Sequence, residues 1–160
     1  MIKKNILLLL LVFCITLNLT GCQRINQDEI SEIALMKNKM DIIVKCFDEK
    51  DSETLKTLFS PQLNSVSDID SKIETAFSLY NGKSQSYDYN RLSMAGGGKD
   101  NGVWIDKHFR PVIGNIKTDE GKTYSISFCE YTVYSEDETK VGIIYINLVD
   151  ENGDLLARIM

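Results

Sequence analysis

The sequence predicts an α+β fold: three N-terminal helices packed on a curved, cone-like antiparallel meander sheet, preceded by a signal peptide. Apolar residues recur at three- and four-residue steps from Ile30 to about Tyr80, the period of an amphipathic helix. From Tyr87 onward the pattern becomes alternation in stretches rich in β-branched and aromatic residues, divided by Gly, Asn and Asp. Ahead of both, Ile6 to Leu17 is an almost unbroken apolar run behind Lys3 and Lys4.

That run is too short to stay in a membrane. A spanning helix needs about 20 apolar residues to cross about 30 Å of hydrocarbon, and this one ends at Asn18, so it reads as the core of a secretory signal. Leu19-Thr20-Gly21-Cys22 follow directly and resemble the lipobox of bacterial lipoproteins. The resemblance implies cleavage before Cys22 and lipidation of its sulfur. Residues 1–21 are therefore expected to be a lipoprotein signal peptide, 22–28 a lipidated tether and 29–160 a single α+β cone-like domain. Each buried methylene contributes about 0.8 kcal/mol, so the two chains of a diacylglyceryl group anchor where one holds only marginally. The expected location is the cell membrane, on its extracytoplasmic face.

Charge narrows the partners. The chain has 18 Lys and Arg against 23 Asp and Glu; without Lys3 and Lys4 the exported part keeps 16 against 23. An acidic domain gains little from counterion release on phosphate backbones and is repelled by anionic lipid, so nucleic acid is not an expected partner and the lipid anchor does the tethering. No cofactor and no metal site are expected. Of four cysteines, Cys14 leaves with the signal peptide and Cys22 goes to lipid. Cys46 and Cys129 can then form one disulfide or remain two buried thiols, and no Cys-x-x-Cys spacing points to a metal.

Ile30, Ile33, Met36, Met40, Ile43, Val44 and Phe47 form the stripe of the first helix, with Glu32, Lys37, Lys39 and Lys45 expected to face away from it. Asp51-Ser52-Glu53 supply cap-type and acidic residues for a second helix, with Leu55, Leu58 and Phe59 on its apolar face. Pro61 is expected to stop it, leaving a polar loop from Gln62 to Ser67. A third helix begins near Asp68 and carries Ile69, Ile73, Ala76, Phe77 and Tyr80, ending at Asn81-Gly82.

Strands are expected at Tyr87 to Asn90, Val103 to Ile116, Tyr124 to Tyr134, Val141 to Val149 and Leu155 to Met160, with hairpin reversers between the later ones. Tyr124, Ile126 and Phe128 share one face, whereas Cys129, Tyr131 and Val133 lie on the other. The strand is therefore expected to change its buried side near Phe128 to Glu130, through a bulge that curves the sheet.

Residues Asp51 to Pro61, Phe77-Ser78-Leu79-Tyr80-Asn81-Gly82, Thr123 to Phe128 and Val141-Gly142-Ile143 together resemble a family of uncharacterised lipoproteins from Gram-positive bacteria with a nuclear transport factor two-like (cystatin-like) cone. The resemblance covers nearly the whole mature chain. It implies the fold and the location and brings no activity with it.

Chemistry-bearing motifs are few. Gly96-Gly97-Gly98 is flanked by strands on both sides, unlike a phosphate-cradling loop, and is expected to be a hairpin tip. In enzymes with the cone fold a carboxylate or histidine base works beside a tyrosine in the pocket, which draws attention to Tyr80, Tyr87, Tyr89 and Trp104 as ligand-binding candidates and to Asp106 and His108 as an acid/base pair. Strand alternation puts Asp88 opposite Tyr87 and Tyr89, and puts Trp104, Asp106 and His108 on one face. The expectation is a non-enzymatic domain binding a small apolar ligand or an envelope protein. The alternatives are a small isomerase-, dehydratase- or cyclase-like enzyme and an envelope structural or immunity-type protein.

Overall fold

The structure, a computed structural model, describes residues 27–90, 92 and 95–160. The expected signal peptide, Cys22 and most of the tether lie outside the described residues. Residues 31–160 form one compact unit, and the hydrophobic core of the described residues lies inside it, so this unit holds the apolar contacts that independent folding requires.

Helix α1 (Gln27–Glu49) buries Met36, Met40, Ile43, Val44 and Phe47, with Cys46 beside them. It stops at Lys50, whose φ of 56° is left-handed, and the Asp51 N–H reaches back to the Cys46 carbonyl at 3.0 Å. The Lys50 ammonium donates to the carbonyls of Phe77, at 2.7 Å, and Tyr80, at the end of another helix where the backbone dipole favours a cation.

Helix α2 (Ser52–Lys56) is capped by Asp51, whose carboxylate accepts the Thr54 N–H at 2.9 Å. The expected loop after Pro61 is instead a further helical turn, α3 (Pro61–Asn64). Ser60 Oγ accepts the Leu63 N–H at 3.2 Å, and proline occupies the first helical position, where its missing N–H has no intrahelical partner to lose. Helix α2 has already ended at Lys56, so Pro61 starts a helix rather than stopping one, and the described residues contain four α-helices where the sequence predicts three helices. Helix α4 (Ile69–Leu79) buries Ile69, Ile73, Ala76 and Phe77. Phe77 and Tyr80 meet Phe47 edge-on, with ring centroids 5.2 and 5.5 Å away.

Nine strands follow: β1 (Ser84–Asn90), β2 (Ala95–Gly96), β3 (Lys99–Asp100), β4 (Val103–Trp104), β5 (Asp106–Phe109), β6 (Val112–Thr118), β7 (Thr123–Tyr134), β8 (Gly142–Asp150) and β9 (Leu155–Ile159). The single strand expected from Val103 to Ile116 is three. A bend at Ile105 separates β4 from β5, and Pro111, which has no N–H for the ladder, separates β5 from β6. Both β5 and β6 pair antiparallel with β7 along one side. β8 pairs with β7 along its other side, and β9 with β8. β1 flanks β6 and β2 flanks β5. Asn101-Gly102, both at positive φ, close the small β3–β4 hairpin.

Register shifts curl this sheet into a half-barrel. Along β7 there are an extra residue on β6 around Gly114 and Asn115, one on β7 itself at Thr132 opposite β5, and one on β8 at Ile144; further shifts lie between β1 and β6 and between β8 and β9. The irregularity expected near Phe128 to Glu130 is present, as the register shift between Cys129 and Glu130 with the extra residue on β8, but β7 does not simply change its buried side there. Phe128, Cys129 and Glu130 are buried in succession. Glu130 and Thr132 continue the series of Tyr124, Ile126 and Phe128 on the helix-facing side, although they are polar. Helix α3 meets β8 closely: Ser60 N–H donates to the Ile143 carbonyl at 2.9 Å, and a Cβ on Gly142 would lie 2.7 Å from the Ser60 nitrogen.

Candidate ligand-binding groove

Between the first half of α1, the turn after α2 and the inner side of β5 and β7 lies a cavity of about 350 Å³, within the range of small-molecule sites. Leu35, Met36, Ile42, Leu58 and Phe109 form its apolar walls. Leu35 stands at the mouth, 67% exposed.

Its polar side is built from charges that cross between helix and sheet. Lys39 of α1 pairs with Glu130 of β7, and Glu32 of α1 pairs with Lys107 of β5. The sequence predicts Glu32 and Lys39 to face away from the core; the curl of β5 and β7 brings opposite charges up to them. Lys107 is 9% exposed, with its ammonium 5.4 Å from the ring centres of both Trp104 and Phe109, where the aromatic faces add to the attraction from Glu32. Glu130 is 6% exposed. Only one of its oxygens is used, by Lys39; Oε2 has no hydrogen-bond partner, which costs about 1–3 kcal/mol while it stays so.

The residues singled out from sequence lie elsewhere. His108 Nδ1 is 3.9 Å from Asp106 Oδ2, too far for a hydrogen bond, while Asp106 Oδ1 accepts the Gly98 N–H at 2.7 Å. The His108 ring rests on Tyr131, centroids 5.2 Å apart. Asp106, Ile105, Tyr131, Tyr134 and Glu136 line a separate cavity of about 220 Å³. Trp104 does not complete a trio with Asp106 and His108, because the bend at Ile105 breaks the alternation. Its ring instead lies beneath the ammonium of Lys99, 4.3 Å from the ring centre, and near that of Lys107.

Tyr80 is a core residue, 1% exposed, and its hydroxyl donates to Asp48 at 2.9 Å. Tyr87 and Tyr89 both donate to Asp41, at 2.8 and 2.5 Å, and so tie β1 to α1. Asp88, on the opposite face, accepts from Asn115 at 2.7 Å. Burial first, and then the neighbouring carboxylates, push the phenols of Tyr80 and Tyr87 above their usual range. Cys46 and Cys129 are buried free thiols in this structure. Burial, with Asp51 and Glu49 nearby, pushes Cys46 up to about 11; Cys129 is raised by burial against the opposing pull of Arg110. Among the described residues, no three His, Cys, Asp or Glu side chains gather as a metal-holding group, and no helix is long and apolar enough to cross a membrane.

Sequence reasoning thus missed Glu32, Lys39, Lys107 and Glu130. One signal was available: Glu130 has the strand parity of Tyr124, Ile126 and Phe128, so a charge sat at a position whose face was already apolar.

Residues 42–151 match the model of a family described as Domain of unknown function (DUF5104), and the chain belongs to that family. The sheet wall of the groove, with Phe109, Glu130 and Thr132, falls within the matched span, whereas Glu32 to Lys39 of α1 precede it. No curated protein matches the chain.

Proposed function

We propose that this member of a family without assigned activity is a binding domain, held on the outer face of a cell membrane by lipid on Cys22, and that the groove between α1 and the sheet takes a small, largely apolar molecule. The observation that carries the binding reading is a cavity of about 350 Å³ with apolar walls and a buried carboxylate only half satisfied by the protein. Apolar walls supply affinity by area removed from water, and a few fixed polar groups set orientation. The lipid anchor is supported by the basic start, the short apolar run and Leu19-Thr20-Gly21-Cys22. The reading of the curled sheet as a nuclear transport factor two-like cone is supported by the resemblance together with helices lying over its inner face. The small-enzyme alternative finds a carboxylate in Glu130, yet no tyrosine or histidine joins it in the described lining.

Native mass spectrometry of residues 27–160 purified from the native host is expected to find a bound small molecule. Leu58→Trp, which fills the groove with an indole, is expected to release it. A domain that emerges empty, and that leaves the fluorescence of an environment-sensitive apolar dye unchanged, refutes the groove as a binding site. Lipidation is tested on the full chain: intact mass is expected to show diacylglyceryl on Cys22, and Cys22→Ala to free the protein from membranes. An unmodified Cys22 refutes the anchor.

A further inference from the structure

The Glu130 side chain is 7% exposed and borders the groove. One oxygen holds Lys39, and Oε2 meets neither solvent nor a protein donor. The last torsion of a glutamate is broad and two-fold, so a modest rotation of the carboxylate turns Oε2 into the cavity while the ion pair persists. Lys39 has three N–H donors, of which Glu130 engages one through Oε1, and its side chain is 26% exposed and lines the groove, so it keeps spare donors for the cavity. The groove therefore offers an acceptor and a donor next to each other.

Charge decides what fits them. Both cross-groove pairs, Lys39–Glu130 and Glu32–Lys107, are already neutral. An added cation or anion is taken out of water with no free counter-charge to meet it, a poor exchange in a low-dielectric site. At about 30 Å³ for each water-sized group, the cavity of about 350 Å³ holds roughly a dozen non-hydrogen atoms.

Building on the groove reading, we propose that the ligand is a small neutral amide with an apolar substituent, its N–H donated to Glu130, its carbonyl accepting from Lys39, and its hydrocarbon against Leu35, Met36, Leu58 and Phe109.

The test is an NMR titration of residues 27–160 with four probes of related shape: N-acetyl-leucinamide (neutral), leucinamide (cationic), N-acetyl-leucine (anionic) and 2-methylpentane (a bare hydrocarbon). N-acetyl-leucinamide is expected to move the Glu130 carboxyl-carbon resonance and to bind at least about tenfold tighter than either charged probe. Glu130→Gln places an N–H where the acceptor was, and is expected to weaken the neutral amide about tenfold or more while leaving 2-methylpentane unaffected. Should that variant fail to fold, the carboxyl resonance of the unaltered domain decides alone. Equal binding of the charged probes, or amide binding with a stationary Glu130 resonance, overturns the proposal. If 2-methylpentane fills the groove and the amide does not, the amide assignment falls and the groove reading stands; if no probe perturbs the groove, both fall.

Discussion

Replacing Lys39 by methionine removes the counter-charge of Glu130 and leaves the carboxylate buried with neither oxygen paired. Removing one partner of a buried ion pair costs about 3–5 kcal/mol. Lys39 is 26% exposed and Glu130 7%, so nearly all of that burden falls on the glutamate; because one member of the pair already reaches solvent, the lower end applies, about 3 kcal/mol. For a domain of this size that is a fall in Tm of roughly 10 °C. Glu130→Leu is expected to behave differently, since it removes the half-satisfied group and leaves a lysine whose flexible stem carries the ammonium to water, at a cost of less than about 1 kcal/mol. The double variant Lys39→Met/Glu130→Leu is expected to match or exceed the unaltered domain, by up to about 4 kcal/mol. Urea unfolding of the four proteins, followed by circular dichroism, completes the cycle. The reasoning is refuted if Lys39→Met lies within about 0.5 kcal/mol of the unaltered domain, a shift typical of exposed sites, or if Glu130→Leu is equally damaging.

Ser60→Ala removes the buried cap of α3 and is expected to cost about 1 kcal/mol in urea unfolding; no change would mean that the packing of α3 on β8 alone holds the turn. In residues 27–160 the two thiols are expected to resist a disulfide-exchange dye until the domain unfolds: raising Cys46 from 9.0 to about 11 cuts its thiolate population about a hundredfold at neutral pH, and native-state reaction at the rate of free cysteine contradicts its burial. Tyr80 and Tyr87 bear on alkaline stability. Their folded pKa values lie above the ordinary 10.0, so the stability they contribute is whole below pH 10 and is lost as pH rises through the folded values. Unfolding free energy is expected to decline above pH 10, with phenolate absorbance from these two appearing only with unfolding; a flat profile there contradicts the hydrogen bonds to Asp48 and Asp41.

Elements governed by local period were legible. The stripe of α1 from Met36 to Phe47 and the set Ile69, Ile73, Ala76 and Phe77 on α4 are buried as their spacing requires. Asn101-Gly102, Glu120-Gly121 and Asn152-Gly153 reverse the chain as their chemistry requires, but Gly96-Gly97-Gly98 is not the expected hairpin tip: Gly96 pairs with His108 in β2, and the reversal lies at Asn101-Gly102. Pro61 misled because its chemistry serves both ends of a helix, and only the adjacent Ser60 cap decides between them. The groove was the least legible part. Tyr80, Tyr87 and Tyr89 attracted attention as polar aromatics, yet each hydroxyl is committed to a carboxylate of α1. Glu32 and Lys39 looked like solvated charges, and nothing near them in the chain signals Lys107 or Glu130, 75 and 91 residues away.

By itself the sequence determined the division into N-terminal helices and a later antiparallel sheet, the acidic balance, and the run from Lys3 to Cys22 that underlies the proposed anchor, because helix period, strand alternation, turn chemistry and charge count are properties of neighbouring residues. Tertiary structure alone decided which charges meet across the groove, that Cys46 and Cys129 are both buried, and that Glu130 keeps one oxygen unpaired. Those depend on how the register shifts curl the sheet beneath α1, and a curl of that kind is set by long-range pairing rather than by any local pattern.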